Sequence, residues 1–145
     1  MADFNFYYPI SVRYGDLDPQ WHVNNARFLT FLEQTRLAYV QHLGLFDGED
    51  FFNLGMIVAD VHIAYRAPIQ LNEPIRVGMR VNRLGGKSFQ TEYRIENPQT
   101  GEVKATAEIV MVTFDYHKNC SIPIPENWRE KIAAFEGIPA GPASA

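Results

Sequence analysis

The chain has 145 residues, 46% of them hydrophobic and 21% charged, which suits one globular domain with a real core. Its 13 basic and 17 acidic residues give a net charge of −4, with no basic run, so composition argues against a nucleic-acid or polybasic membrane binder. No apolar run approaches a membrane span, residues 1–5 lack the basic start and apolar stretch of a signal peptide, and the lone Cys120 forms no disulfide within one chain; a cytoplasmic domain is the expectation.

Residues 6–14 alternate, with Phe6, Tyr8, Ile10, Val12 and Tyr14 on one face, which predicts a strand. Pro9 within it points to an edge position or bulge. Residues 26–43 predict a long helix. Phe28, Leu32, Tyr39 and Leu43 fall near three- and four-residue spacing, and Leu29, Leu37 and Val40 widen the stripe enough to predict burial on most sides. Gly44 suits its C-terminal end. Residues 45–55 read as loop with a short helical turn. Strands are predicted over 57–65, 76–82, 89–96 and 103–116. Residues 89–96 are the cleanest amphipathic strand, and 110–112 are apolar on both faces, as in a central strand or an oligomer contact. Gly85-Gly86 and residues 97–101 carry hairpin chemistry. Residues 128–135 suggest a short terminal helix, and 137–145 a flexible tail after a single domain over 1–136. One strand, a long helix and four strands joined by tight turns make an α+β domain with a five-stranded antiparallel sheet.

Asp16, Asp18, His22, Asn24 and Asn25 precede the long helix directly. A helix start has unpaired N–H groups and partial positive charge, so it stabilises an oxygen that becomes an anion. Carboxylates beside such a start are candidates for nucleophile or general base. Asp18-Pro19 is also a common turn pair, Asn24 suits an N-cap, and Asp16 suits a structural role capping the turn or pairing with Arg13. Gly85-Gly86-Lys87-Ser88 is not a phosphate loop, because position 81 is Val where that motif needs glycine, and it lies between strands. The four histidines and one thiol lack metal-ligand spacing, and no cofactor motif occurs.

Asp-x-x-x-His-Val-Asn-Asn at 18–25, ahead of an aromatic-rich helix, resembles the hotdog-fold thioesterases, in particular the 4-hydroxybenzoyl-CoA and acyl-CoA thioesterase branch. The resemblance runs over roughly residues 6–116 and implies a sheet wrapped around one long central helix. It implies thioester hydrolysis with Asp18 as the catalytic carboxylate and the backbone N–H at Asn25 as the group polarising the carbonyl. Asn24, Trp21, Lys87 and Ser88 are the implied substrate or CoA contacts, with Arg66, Arg83 and Lys118 as weaker ones. Two positions depart from the hydroxybenzoyl pattern: Trp21 stands where glycine is usual, and His22 where that enzyme has an apolar residue. His22 matches the acyl-carrier-protein thioesterases instead, where the aspartate, the histidine and the position of Gln20, typically asparagine, are all implicated; His22 is thus a further catalytic candidate, to orient Asp18 or donate to substrate, its alternative being to fill a polar pocket. Nucleophilic and general-base routes therefore both stay open. Glu33, on the helix, is the reserve catalytic candidate, since some hotdog enzymes use a helix carboxylate; its alternative is a solvent edge or an ion pair with Arg36. The implied partners are acyl-CoA, or an acyl carrier protein, and a second copy in a homodimer or homotetramer. A hotdog dehydratase or hydratase and a non-catalytic thioester-binding protein are the competing readings.

Overall fold

The computed structural model describes residues 4–50, 52 and 55–141. The elements run β1 (Phe6–Ile10), a 3-10 turn (Tyr14–Asp16), α1 (Asn25–His42), β2 (Met56–Tyr65), β3 (Ile75–Leu84), β4 (Ser88–Glu96), β5 (Val103–Asp115), β6 (Cys120–Ser121) and α2 (Glu126–Glu136). The strands form one antiparallel sheet in the order β1-β3-β4-β5-β2, with β6 paired to the end of β5.

Two departures from the sequence reading have local causes. The first strand stops at Ile10 rather than at 14, because its partner β3 begins at Ile75 and offers nothing beyond the Ile10–Ile75 pair. The sheet has a sixth strand among the described residues. Asp115 Oδ1 accepts from the N–H groups of His117 and Lys118, and Asn119 at φ 55° turns the chain back, so Cys120 and Ser121 pair with Asp115 and Phe114. The helical turn expected within 45–55 falls partly outside the described residues. The doubly apolar stretch 110–112 lies on β5 between β4 and β2, which makes it part of a central strand. Pro9 is on an edge strand. In the tail, the Ala140 carbonyl accepts from Arg129 at 2.7 Å.

The core lies between α1 and the concave face of the sheet. Phe28, Phe31, Leu32, Tyr39 and Val40 of α1 meet Val77, Met79, Phe89, Tyr93, Ile95, Ile109 and Met111. Burial of such side chains is worth about 1.5–3 kcal/mol each, which holds the helix where its own propensity would not. The helix is less enclosed than its composition predicts, since Thr30, Glu33, Gln34 and Gln41 are exposed on the face the sheet does not reach. Gly44, at φ 72°, follows the helix in the left-handed conformation expected there.

The β2–β3 connection has to cross the end of the sheet, because β4 and β5 lie between those two strands. That crossing, residues 66–74, runs against the segment that leads into α1. Val23 N–H donates to the Ile69 carbonyl at 2.8 Å, and His22 bridges to Gln70.

Candidate active site

Residues 17–23 fold as a small hairpin ahead of the helix. Leu17 and Val23 pair as an antiparallel bridge. Asp18 N–H donates to the His22 carbonyl at 2.9 Å, and Trp21 N–H returns to the Asp18 carbonyl at 3.0 Å. This is a turn closed by a residue in the left-handed region, and Trp21 has φ 64°. The glycine usual at this position in the resembling family takes that conformation without strain. Trp21 keeps the backbone geometry and holds its side chain 64% exposed, beside the exposed Tyr14 with ring centroids 6.3 Å apart.

Asp18 is half-buried next to the turn of this hairpin. One oxygen accepts the Gln20 N–H at 2.9 Å, and the other has no hydrogen-bond partner among the described residues. A carboxylate fixed through one oxygen with the other open is oriented for attack or for taking a proton from water. His22 is half-buried next to it, holding Asp18 through its backbone rather than its ring.

Asp16 is structural, as the sequence suggests. It is 1% exposed; its Oδ2 accepts the Arg13 N–H at 2.8 Å, its carbonyl accepts the Asn24 N–H at 2.8 Å, and Arg13 and Arg27 lie 3.6 and 3.9 Å from Oδ1. Asn24 is the N-cap of α1, its side chain accepting the Ala26 N–H at 2.9 Å. The donors at the helix start are then accounted for one by one. Asn24 N–H goes to Asp16, Ala26 N–H to the cap, and Arg27 N–H to the Asn24 carbonyl at 2.8 Å. The N–H of Asn25 has no acceptor among the described residues. It is the open donor at the positive end of an 18-residue helix, at the junction that also carries Asp18.

Three groups that hold this junction escape a reading of the sequence. Tyr65, at the end of β2, donates its hydroxyl to the Asn25 carbonyl at 3.0 Å and packs against Phe28. Lys104, 3% exposed on β5, binds the Pro68 carbonyl at 3.1 Å, Glu73 at 2.7 Å and Glu102. Glu73 in turn accepts the Gln70 N–H at 3.1 Å and an Asn97 amide hydrogen at 3.1 Å. Burial acts to raise the Glu73 pKa, but the hydrogen bonds from Lys104 and Asn97 outweigh it and hold the carboxyl below its ordinary range. Burial likewise acts to lower the Lys104 pKa, and its two carboxylates raise it instead. The charged clamp fixes residues 68–70, and those fix His22 and Val23.

The remaining candidates lie elsewhere. Glu33 is exposed beside a cavity of about 380 Å³ between α1 and the start of β2, with Leu37, Met56, Val58 and Met111 also in its wall. It sits about 12 Å along the helix from Asn25. It forms no ion pair with Arg36, which turns inward and donates to the Tyr93 hydroxyl at 3.1 Å. Lys87 and Ser88 lie in the β3–β4 turn, where Gly85 N–H meets the Ser88 carbonyl at 2.8 Å, as the hairpin chemistry predicts. Ser88 is level with Val112 of β5, whereas Tyr65 is level with Ala105. Within one chain, then, Lys87 and Ser88 are about 24 Å along the sheet from the Asp18 end. A larger recess of about 700 Å³, on the opposite face of the sheet among Arg80, Glu92, Arg94 and Glu108, contains none of the motif residues. Among the described residues no cluster of His, Cys, Asp and Glu could hold a metal ion, and no helix is long and apolar enough to cross a membrane.

Comparison with known proteins agrees with this fold. The model of the thioesterase-like superfamily matches residues 12–132. The chain is 32% identical over 123 residues to the long-chain acyl-CoA thioesterase FadM of Escherichia coli, covering 85% of this chain and 93% of that one. It is 27% identical to the acyl-CoA thioesterase YbgC of Haemophilus influenzae, covering 95% and 99%. Among solved structures, a thioesterase from Thermus thermophilus complexed with coenzyme A and zinc superposes with a TM-score of 0.82 at 34% identity, covering 96% of this chain and 100% of that one. With a helix-wrapping antiparallel sheet and a match spanning most of its length, this chain belongs to the thioesterase-like superfamily and has the hotdog fold.

Proposed function

We propose that this chain hydrolyses acyl-CoA thioesters to a free acid and CoA, with Asp18 as the catalytic carboxylate and the Asn25 N–H as the oxyanion donor. The supporting observation is that Asn25 N–H is left open while the donors on either side are occupied, at the end of the hairpin that holds a carboxylate with one free oxygen. Two routes balance. Asp18 attacks the carbonyl carbon, the thiolate of CoA leaves, and water then hydrolyses the mixed anhydride; or Asp18 takes a proton from water as that water attacks, and the same thiolate leaves. Either way negative charge develops on the thioester oxygen, where a single well-placed donor is worth about 2.7–4 kcal/mol. Trp21 in the left-handed region favours the enzyme over a non-catalytic binder, because the departure from glycine leaves the hairpin intact.

The acting unit in this reading is a homodimer. Among the described residues β2 has a partner on one side only; it is ten residues long and exposes Ile57, Val58, Val61 and Tyr65 at 37–45%. A long apolar edge strand is a template for a second chain. Two-fold antiparallel pairing through β2 reverses the sheet's direction across the join. It therefore carries Lys87 and Ser88 of the partner subunit toward the Asp18 end, where a CoA phosphate would meet them, with Trp21 and Asn24 lining the approach.

The test is free-thiol release from a panel of acyl-CoAs and acyl carrier proteins by wild type and Asp18→Asn, with sedimentation to give the assembly. Asp18→Asn is expected to lose at least two orders of magnitude in kcat, in keeping with general acid–base contributions. Undiminished turnover removes Asp18 and promotes Glu33. Single turnover in heavy-oxygen water identifies the nucleophilic route if label enters Asp18.

A further inference from the structure

Arg36 is the residue the thioesterase reading leaves unused. It is 6% exposed, in the middle of α1, and lines the cavity against Leu37, Met56, Val58 and Met111. Its side chain's one hydrogen bond among the described residues is to the Tyr93 hydroxyl, and no carboxylate among them lies within ion-pair distance. An isolated buried charge is costly, and structures normally pair it or neutralise it. Arginine does not lose its proton. A guanidinium with donors to spare, in an apolar wall, is therefore a site for an anionic oxygen that arrives with a ligand.

Its position relates it to the thioester site. β2 runs antiparallel to α1: Tyr65 at its end touches Asn25, and Met56 to Val58 at its start border the cavity that Arg36 lines. Both places lie along the boundary between α1 and β2. Arg36 Cα is about 16 Å along the helix axis from Asn25. Its side chain leans back toward the helix start, as long helical side chains do. It meets Tyr93, which lies in the row that runs through Ala107 to Ile63, two residues along β2 from Tyr65. An acyl chain whose carbonyl sits at Asn25 and whose body follows β2 thus reaches Arg36 with its far end. Glu33 lines the same cavity, but it is exposed and its charge is screened by solvent, whereas that of Arg36 is not.

We infer that Arg36 is a specificity-determining residue that selects acyl groups with a carboxylate at the end remote from the thioester. The inference rests on the acyl-CoA hydrolase reading and names its substrate class. The experiment compares ω-carboxyacyl-CoAs with alkyl acyl-CoAs of equal length, across a series of lengths, on wild type, Arg36→Met and Arg36→Lys. Wild type is expected to favour the ω-carboxylate at one or a few lengths by about tenfold to a hundredfold in kcat/KM, the range of one charge-assisted hydrogen bond. Arg36→Met should bring that ratio close to unity, and Arg36→Lys should restore part of it. No preference by wild type at any length overturns the inference without any variant, as does an equal loss on both substrate classes in Arg36→Met. If wild type hydrolyses no thioester, the hydrolase reading fails. Calorimetry of the same CoA esters with wild type then decides Arg36 separately, since preferential binding of the ω-carboxyl series supports the inference and equal binding refutes it.

Discussion

Replacing Trp21 by alanine and by glycine separates what its side chain does from what its backbone does. Both variants remove the same exposed indole and its contact with Tyr14, so the comparison between them isolates φ 64°. At an ordinary loop position alanine is the more stabilising of the two by about 0.4–1 kcal/mol, because glycine frees the unfolded chain. In the left-handed region an L-residue costs about 1–2 kcal/mol that glycine avoids. The second effect wins here, so Trp21→Gly should exceed Trp21→Ala in stability by about 0.5–1 kcal/mol. Urea titration reads this as a higher midpoint at unchanged slope, and a thermal melt as a rise of about 2–4 °C for each kcal/mol in a chain of this size. Thioester hydrolysis by Trp21→Gly should keep its kcat, since the three hydrogen bonds that set the Asp18 hairpin are backbone or Asp18 bonds. Equal stability of the two variants, or greater stability of Trp21→Ala, refutes the claim that the hairpin is built on a left-handed residue.

Other perturbations reach the site from further away. Lys104→Met leaves Glu73 and Glu102 without their cation and frees the Pro68 carbonyl, so it should cost about 2–4 kcal/mol in urea titration and lower kcat/KM through the loosened His22–Val23 strut. Glu136 Oε2 accepts from both the Tyr39 hydroxyl at 2.5 Å and the Val81 N–H at 3.0 Å. Glu136→Gln keeps an acceptor for both donors, whereas Glu136→Ala orphans them and should cost about 2–3 kcal/mol by thermal melting. Burial raises the Glu136 pKa despite those hydrogen bonds. A raised carboxyl pKa favours folding most below the unfolded-state value and loses that contribution as pH rises through the folded value. Wild type should therefore lose stability relative to Glu136→Gln as pH rises from 4.5, the ordinary glutamate value, with denaturation midpoints as the readout. Val61→Lys, on the exposed edge of β2, should yield monomers in sedimentation and raise KM for acyl-CoA, while Asp18→Asn leaves the assembly unchanged.

Local signals carried the elements, and non-local ones did not. The start of α1 was legible because Asn24 is a strong cap and the apolar period begins just after it; β4 was legible because Phe89, Thr91, Tyr93 and Ile95 alternate cleanly. Asp16 as a structural carboxylate followed from its distance to Arg13 in sequence. The two-residue strand β6 has no period to read. Arg36 looks from the sequence like an i,i+3 partner for Glu33, and only the closeness of Tyr93, fifty-seven positions away, turns it inward. Lys104 falls on the polar face of its strand with Thr106 and Glu108, so nothing local signals its burial, and its partner Glu73 lies in the crossing loop, whose course is decided by strand order. The same dependence on strand order hides the separation of Lys87 from Asp18 and the open edge of β2.

The crossing of residues 66–74 over the sheet end also bears on the order in which the molecule assembles. β3, β4 and β5 are joined by tight turns, so their pairings close short loops and form early. The bonds that set the hairpin of residues 17–23, Val23 to Ile69 and His22 to Gln70, join distant parts of the chain and require the crossing to be in place. Strand formation thus precedes competence, and on refolding the far-ultraviolet signal of the sheet should recover ahead of hydrolysis. A chain stalled with its meander intact and its crossing undocked would contain Asp18 and Asn25 without the hairpin that holds them in place.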